Sequence, residues 1–511
     1  MKNKELYLYE RKQNNSGDFV VWMAFPGIYS FSLSSLGYLW MFKTIDEIDG
    51  VQIERICSDT KSPKFRVKDV RLFGFSFSFD TDFLTIFSML EKYKIPLKSC
   101  DRTNDEPLIF AGGPVVTANP EPYKEFFDFF VIGDGEEVNA IAVEICRTSK
   151  DRKEALKRLS EIEGIYVPGL SQKVKKLTKK LTECIYTPII SEDAFFKNTF
   201  IIEMARGCAN RCGFCLASYL NLPLRCVPYE KLLKTIELGL TYTNKIALLG
   251  AQISAHPHFH DICSYIYNRI QAGENIEMSV SSLRVDAITP DVVKTLVAAG
   301  QRNSTLAIEA GSERLRKTIN KNLSEEQIFN AVKIARENNL NGLKFYGMIG
   351  LPTETQNDLE SMVKLAREIK KINKGFDLSF GFSSFVPKPN TPFQWCGREN
   401  TKSLEEKAAY LKKELHKLGI STNISSIKWD YWQAVLSRGD ESLNDFVLEV
   451  YKQGGKLGAF KSAAKKLNID TDYFATRNYA FTDKLPWDFI EINLGKDFLI
   501  KENNRLLTDF I

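Results

Sequence analysis

Short apolar runs that end in glycine turns alternate with helix-length amphipathic stretches along most of this 511-residue chain. In the first part, Phe19–Phe25, Val70–Ser76, Leu108–Ala111 and Phe129–Ile132 read as buried strands. They run toward Pro26-Gly27, Gly112-Gly113-Pro114 and Gly133-Asp134-Gly135, and Thr81–Lys92 carries helical spacing between two of them. Apolar strands alternating with helices predict a parallel, doubly wound sheet. Ligands of such sheets sit beyond the carboxyl ends of the strands, where these glycines fall.

The same alternation resumes after a lysine-rich link. Asn198–Met204, Lys245–Gly250, Glu277–Ser281, Ser304–Glu309, Gly342–Gly350 and Leu378–Val386 read as six strands, each but the last followed by a helix-length segment. That pattern predicts a partial (β/α)6 barrel, with its chemistry at the C-terminal strand ends. From about residue 426 the spacing turns helical, with scattered aromatics such as Trp429, Trp432, Phe446 and Phe460. The fold class is therefore α/β in three parts. Residues 1–190 form a doubly wound domain with its linker, 191–425 a barrel-like core, and 426–511 a small helical domain expected to pack on the barrel. Lys173, Lys175, Lys176, Lys179 and Lys180 in the link read as a solvated connector, because no aromatics interleave with them.

Composition changes this picture little. Hydrophobic residues at 44% and charged residues at 26% are ordinary for a folded chain, and a net charge of +5 neither demands nor excludes a nucleic-acid partner. The N-terminal MKNKELYLYERKQ lacks the apolar core of a signal peptide. Phe19–Phe42 carries no charge, but Pro26-Gly27, Gly37 and four serines break it, so a strand, a turn and a helix account for it better than a membrane span. Ten cysteines, three bunched and seven scattered, do not form a disulfide framework. A cytoplasmic protein with no membrane partner is the expectation.

The bunched cysteines carry the chemistry. Cys208, Cys212 and Cys215 have the spacing C-x3-C-x2-C, with Phe214 just before the third. Three thiolates at this spacing can hold three irons of a four-iron, four-sulfur cube and leave the fourth open to a small molecule. A zinc knuckle or three structural thiols are the alternatives. Zinc usually shows a second ligand pair some fifteen residues on, and Cys226 stands alone there. His256, His258 and His260 alternate and suggest a metal site, but no fourth ligand accompanies them, and a polar loop is the simpler reading.

The cysteine loop resembles that of the radical S-adenosylmethionine (SAM) superfamily. The resemblance implies that SAM chelates the open iron and is cleaved by one electron to methionine and a 5′-deoxyadenosyl radical. The N-terminal part, through Gly112-Gly113-Pro114, Gly133-Asp134-Gly135-Glu136 and Asn119-Pro120-Glu121-Pro122, resembles the cobalamin-binding-like domain ahead of many radical SAM domains. The family's lower cobalt ligand is a histidine in Asp-x-His-x-x-Gly. The four histidines here are His256, His258, His260 and His416, so no imidazole of this domain can serve. Two options follow: cobalamin held without a lower histidine, or a domain that kept the fold without the cofactor.

The resemblance also implies positions for SAM contacts. Phe214 would pack near the adenine. Gly250 and Ala251, in Leu249-Gly250-Ala251-Gln252, stand where a Gly-Gly-Glu-like turn usually meets the SAM amino group, with the acid missing. Ser281 (or Ser282) and Arg284 fall where carboxylate or ribose contacts lie. Glu309, in a Glu-x-Gly-Ser turn, places the chain near the methylthiotransferase-like branch. Met348 and Ile349 lie in Gly347-Met348-Ile349-Gly350-Leu351-Pro352-Thr353-Glu354, a run that resembles the family's G-x-I-x-G-x-x-E motif, whose apolar middle faces the adenine. The implied function is a radical SAM enzyme abstracting hydrogen from a substrate that is an RNA, a peptide or a small molecule, with an electron donor such as flavodoxin or ferredoxin. A cobalamin-dependent radical SAM methyltransferase is the alternative, and a non-catalytic, metal-containing RNA- or partner-binding protein is a second.

Overall fold

The computed structural model describes residues 5–12, 19–372 and 375–508. Met1–Lys4 and Gln13, part of the stretch read for a signal peptide, lie outside them. The N-terminal part is a six-stranded sheet in the order Val51–Cys57, Phe19–Phe25, Val70–Ser76, Leu108–Gly112, Phe129–Val131, Ile165–Tyr166. All neighbours are parallel except the last pair. The strand Val51–Cys57 adds to those expected. Gln52, Glu54 and Arg55 interrupt its apolar positions, as suits an edge strand whose pleat is only half covered. Buried clusters lie on both faces of this sheet. Phe19–Phe42 resolves into a strand and the helices Tyr29–Ser32 and the start of Leu36–Asp46. Among the described residues no helix is long and apolar enough to cross a membrane.

The second part departs from a six-stranded barrel. Seven parallel strands form two sheets, Thr199–Glu203, Lys245–Leu249, Glu277–Val280 and then Asn303–Glu309, Gly342–Ile349, Asp377–Ser384, Ser421–Ile424. Among the described residues, the bridge from Leu283 to Leu306 links the two. The seventh strand follows the helix Thr401–Lys417; its sequence, Ser-Thr-Asn-Ile, has too few apolar residues to announce it. One continuous core joins both sheets to their helices.

The C-terminal helices pack on the barrel-like core as expected, with Asp430 accepting from Ser384 Oγ at 2.8 Å, but they reach beyond it. Trp432, Phe446 and Phe460 share a buried cluster with Phe83, Phe87 and Tyr123 of the N-terminal domain, and Phe83 and Phe460 meet edge to face at 6.4 Å. They thus cover the N-terminal sheet's helices, because the apolar faces they complete are there. Ile490–Glu491 pairs with Val174–Lys175, and the last helix, Lys496–Thr508, returns to the cysteine loop.

The linker is not wholly solvated. Lys173, Lys175 and Lys179 pair with Glu491, Glu163 and Glu137 at the surface. Lys176 is 2% exposed and donates to the Leu177 carbonyl and Thr178 Oγ1. The period-two alternation of an extended segment turns Lys175 outward and Val174 and Lys176 inward.

Candidate functional site: a three-thiol loop and an interdomain cleft

The strand Thr199–Glu203 delivers the cysteine loop to the carboxyl end of its sheet, and two glycines shape it. Gly207 has φ of +91°, and a Cβ there would stand 2.3 Å from the Asn221 carbonyl oxygen. A Cβ at Gly213 would come within 2.9 Å of Phe393 and Leu506. Asn320 straps the loop from outside, its Nδ2 donating to the carbonyls of Asn210 at 2.7 Å and Arg211 at 3.1 Å. Tyr219 OH donates to the Arg211 carbonyl at 2.9 Å.

Cys208 and Cys212 are buried, and Cys215 is half-buried. Cys208 Sγ donates to Gln252 Oε1 at 3.1 Å, and Cys212 Sγ faces the Asn320 carbonyl at 3.8 Å. Burial pushes the Cys212 thiol up to about 12, against an opposing pull from the Lys321 cation nearby. Burial raises the Cys215 thiol as well. Among the described residues no three Cys, His, Asp or Glu side chains converge to hold a single metal ion. A four-iron cube needs no such convergence, since it spreads its thiolates over separate irons. Three closely spaced thiols on one loop are the donor set that such a cube uses.

The other expected residues fall around this loop unevenly. Phe214 and Met348 pack, partly buried, against one small cluster with Ala310, Leu351, Phe385 and Leu506. Ile349 points the other way, fully buried in the core under the helices, because successive strand residues alternate faces. Gly250 closes the strand Lys245–Leu249, and Ala251 beside it is exposed. The strand Glu277–Val280 ends before Ser281, so both Ser281 and Ser282 are exposed and no alternation selects one. Arg284 is held by Asp286 at 3.0 Å and by the Lys321 carbonyl at 3.4 Å.

Glu309 ends its strand at φ +64°, where the ladder shifts register. Its Oε1 lies 3.1 Å from Lys321 Nζ, both side chains nearly buried. Glu354, the acid that ends the Gly347–Glu354 run, accepts from the Gly350 amide at 2.7 Å and pairs with Lys407 at 2.8 Å, so it fastens its own turn.

The histidines do not gather. His256 is buried against the Val227 carbonyl at 2.8 Å, while His258 and His260 each pair with a separate aspartate, Asp261 and Asp291. Cys263 is a core thiol, and Cys396 lies at the edge of the Phe214 cluster.

Sequence reasoning missed Lys321, Gln252 and Arg206. Lys321 follows a helix and carries no motif; only the need to neutralise a carboxylate at a strand end pointed to a partner. Gln252 follows the turn from which the acid is missing, yet it reaches the first thiol. Arg206, two residues before Cys208, pairs with Asp134 at 2.8 Å, Glu136 at 2.8 Å and Glu203 at 2.7 Å. Arg225 joins Asp134 at 2.6 Å. Burial works to raise Asp134, but these two guanidinium groups and the Lys179 amide hold its carboxyl below the usual range.

This junction forms one wall of a cleft of about 570 Å³ at the carboxyl ends of the N-terminal strands. Gly112, Gly113, Gly133 and Gly135 line it on one side and Glu203, Arg206 and Leu249 on the other, so the two domains share it. Burial lowers Lys176, which also lines it, to about 8.

Such an architecture, a doubly wound domain facing a three-thiol loop on a second parallel core, defines a class of two-domain cluster enzymes. Residues 42–168 match the family model for the N-terminal domain of radical SAM proteins, and residues 202–366 match that of the radical SAM superfamily. An uncharacterised protein of Methanocaldococcus jannaschii is 30% identical over 429 residues, 83% of this chain and 88% of the other. An uncharacterised methyltransferase of Pyrococcus horikoshii is 26% identical, over 61% of this chain and 68% of the other. The fold is similar to that of OxsB, a cobalamin-dependent SAM radical enzyme solved with aqua-cobalamin and SAM (TM-score 0.54, 14% identity, 96% of this chain and 79% of the other). The chain belongs to the radical SAM superfamily, and it is a radical SAM enzyme behind a cobalamin-domain-like N-terminal fold.

Proposed function

We propose that Cys208, Cys212 and Cys215 hold a [4Fe-4S] cluster and that SAM lies between this loop and the strand ends bearing Glu309 and Met348. When bound, cluster and SAM supply a reductive C–S cleavage and a 5′-deoxyadenosyl radical for hydrogen abstraction. The chain's own part is to hold and enclose. Asn320 and the Gly207 turn fix the loop, and the Phe214–Met348 cluster offers an apolar wall. The Glu309–Lys321 pair, Arg284 and the Gly250-Ala251 turn offer polar contacts, with Ser281 on the exposed rim. Ile349 supports this wall from behind. The observation that carries the reading is one three-thiol loop adjoining both a buried ion pair and an apolar patch. Flavodoxin or ferredoxin suits the one-electron need, and the substrate class stays among RNA, peptide and small molecule. The domain boundaries at about 190 and 425 belong to this reading.

The test is anaerobic. Protein reconstituted with iron and sulfide, given SAM and a low-potential reductant, is expected to yield 5′-deoxyadenosine, and the Cys212→Ala variant is expected to yield none. An intact cluster that yields no product in the wild type sinks the reading.

Cobalamin-dependent methyl transfer is the second reading, favoured by the shared cleft. Two buried acceptors lining that cleft, Glu136 Oε2 and Asn139 Oδ1, have no hydrogen-bond partner, which suits a ligand rich in N–H donors. No histidine lines it, so a corrinoid there would go without a lower imidazole.

A further inference from the structure

Satisfied polar groups are the rule inside proteins, and an unpartnered buried acceptor needs a reason. The interdomain cleft has two. Glu136 is 7% exposed; its Oε1 is taken by Arg206 at 2.8 Å, and its Oε2 has no partner. Asn139 is 5% exposed; its Nδ2 rests on Met41 Sδ at 3.0 Å, and its Oδ1 has no partner. The two residues lie within one turn, at the start of the helix Val138–Thr148. Met23, Phe75, Phe110 and Val131 give the cleft a largely apolar floor, with Ser78, Thr117 and Asn221 among the polar residues that also line it.

Both unmet groups are acceptors. A second carboxylate or a phosphate would meet Glu136 as a like charge in a partly desolvated site, an arrangement that repels. Of the cations lining the cleft, Arg206 is already shared among Asp134, Glu136 and Glu203, and Lys176 has its donors directed at the Leu177 carbonyl and Thr178 Oγ1. The cleft therefore asks for an apolar body carrying neutral N–H donors on its rim.

We propose that Glu136 and Asn139 form a carboxamide-reading pair, recognising the N–H groups on the rim of the cleft's occupant. On the second reading above, on which this rests, that occupant is a corrinoid and the groups are its peripheral carboxamides. Glu136 holds the Arg206 guanidinium with its other oxygen, so the same carboxylate joins the ligand to the loop that carries Cys208.

Binding to the full-length protein, followed by the corrin's visible absorption, tests this with hydroxocobalamin, dicyanocobinamide and dicyanocobyrinic acid heptamethyl ester. The ester keeps the corrin and its neutral rim but has no N–H groups. Cobinamide is expected to bind about thirtyfold more tightly than the ester, the worth of roughly two hydrogen bonds to otherwise unmet acceptors. Asn139→Leu is expected to weaken cobinamide about tenfold and to leave the ester unchanged. Equal affinity for cobinamide and ester overturns the carboxamide reading while leaving the corrinoid in place. Binding of none of the three removes the corrinoid reading, and the proposal with it. The ligand comparison uses wild-type protein, so it stands even if a variant fails to fold.

Discussion

Lys321 Nζ stands 3.1 Å from Glu309 Oε1, and the two side chains are 8% and 12% exposed. The pair joins the bulged end of one strand to the segment that straps the cysteine loop through Asn320. Removing one partner from a nearly buried pair leaves a charge with neither water nor counter-ion, which costs about 3 kcal/mol. Lys321→Met is expected to lower the urea midpoint of the apoprotein accordingly. The double variant Lys321→Met/Glu309→Gln is expected to recover most of that stability and little of the 5′-deoxyadenosine yield. Full recovery of both would leave the pair a structural role alone.

Arg206 gathers three carboxylates from both domains, and its loss should show a particular pH signature. Asp134 has a folded pKa below its ordinary 3.8. A depressed carboxyl contributes stability that is present above the unfolded value and is lost as pH falls through the lower folded one. In wild type this contribution is therefore intact at pH 7 and fades only below about pH 4. In Arg206→Met, burial acts with less opposition, so the carboxyl rises and protonates earlier. The stability gap between wild type and variant, measured by urea unfolding, is expected to be a few kcal/mol at pH 7 and to shrink toward pH 4. A gap that is constant across this range would mean that Arg206 acts by packing.

The legible parts of this molecule were those buried on both faces or locked by local covalent spacing. The strand Phe19–Phe25 has six buried residues in a row and announces itself; Val51–Cys57 lies at the edge, alternates with Gln52 and Glu54, and does not. The three thiols are legible because one short loop holds them all. Lys321 and Arg206 are not, because Lys321 answers to Glu309, 12 residues away, and Arg206 to Asp134, 72 residues away, as well as to its neighbour Glu203, and only the fold brings the distant partners near. The lysine run misled for a related reason. Charge density suggests a solvated segment, while strand alternation decides which lysine turns inward.

The C-terminal helices complete the N-terminal domain's core, and this predicts a failure. Phe460 is fully buried among Phe83, Trp429, Trp432 and Phe446. Phe460→Ala is expected to cost about 3–5 kcal/mol. A chain ending at residue 425 would expose the apolar face of Phe83–Lys92 and is expected to aggregate. Asp80 anchors the same junction, its carboxylate meeting Lys388 at 3.1 Å and Ser437 at 3.0 Å. Limited proteolysis of Asp80→Asn is expected to cut faster near residue 426. A soluble, cooperatively unfolding 1–425 chain would refute this arrangement.

Lys176 gives the last prediction, and its sign is opposite to that of the carboxylates. Burial, the largest influence, lowers its pKa from 10.5 to about 8, with Arg225 and Arg206 adding to the fall and Asp134 opposing it. The folded state therefore releases this proton before the unfolded chain does. Between about pH 8 and pH 10.5 the unfolded chain binds more protons, so this residue's contribution to stability rises with pH. Below pH 8 the cost of burying the cation is felt in full. That cost is about 3 kcal/mol. Lys176→Met removes the titration and keeps most of the volume. The variant is expected to be the more stable protein at pH 7.5, with the advantage shrinking toward pH 10 as wild type sheds the proton. Other lysines, tyrosines and thiols titrate in this range in both proteins, so the quantity to follow is the difference in urea unfolding free energy between the two. A difference that does not change with pH would mean that Lys176 keeps its proton in the fold.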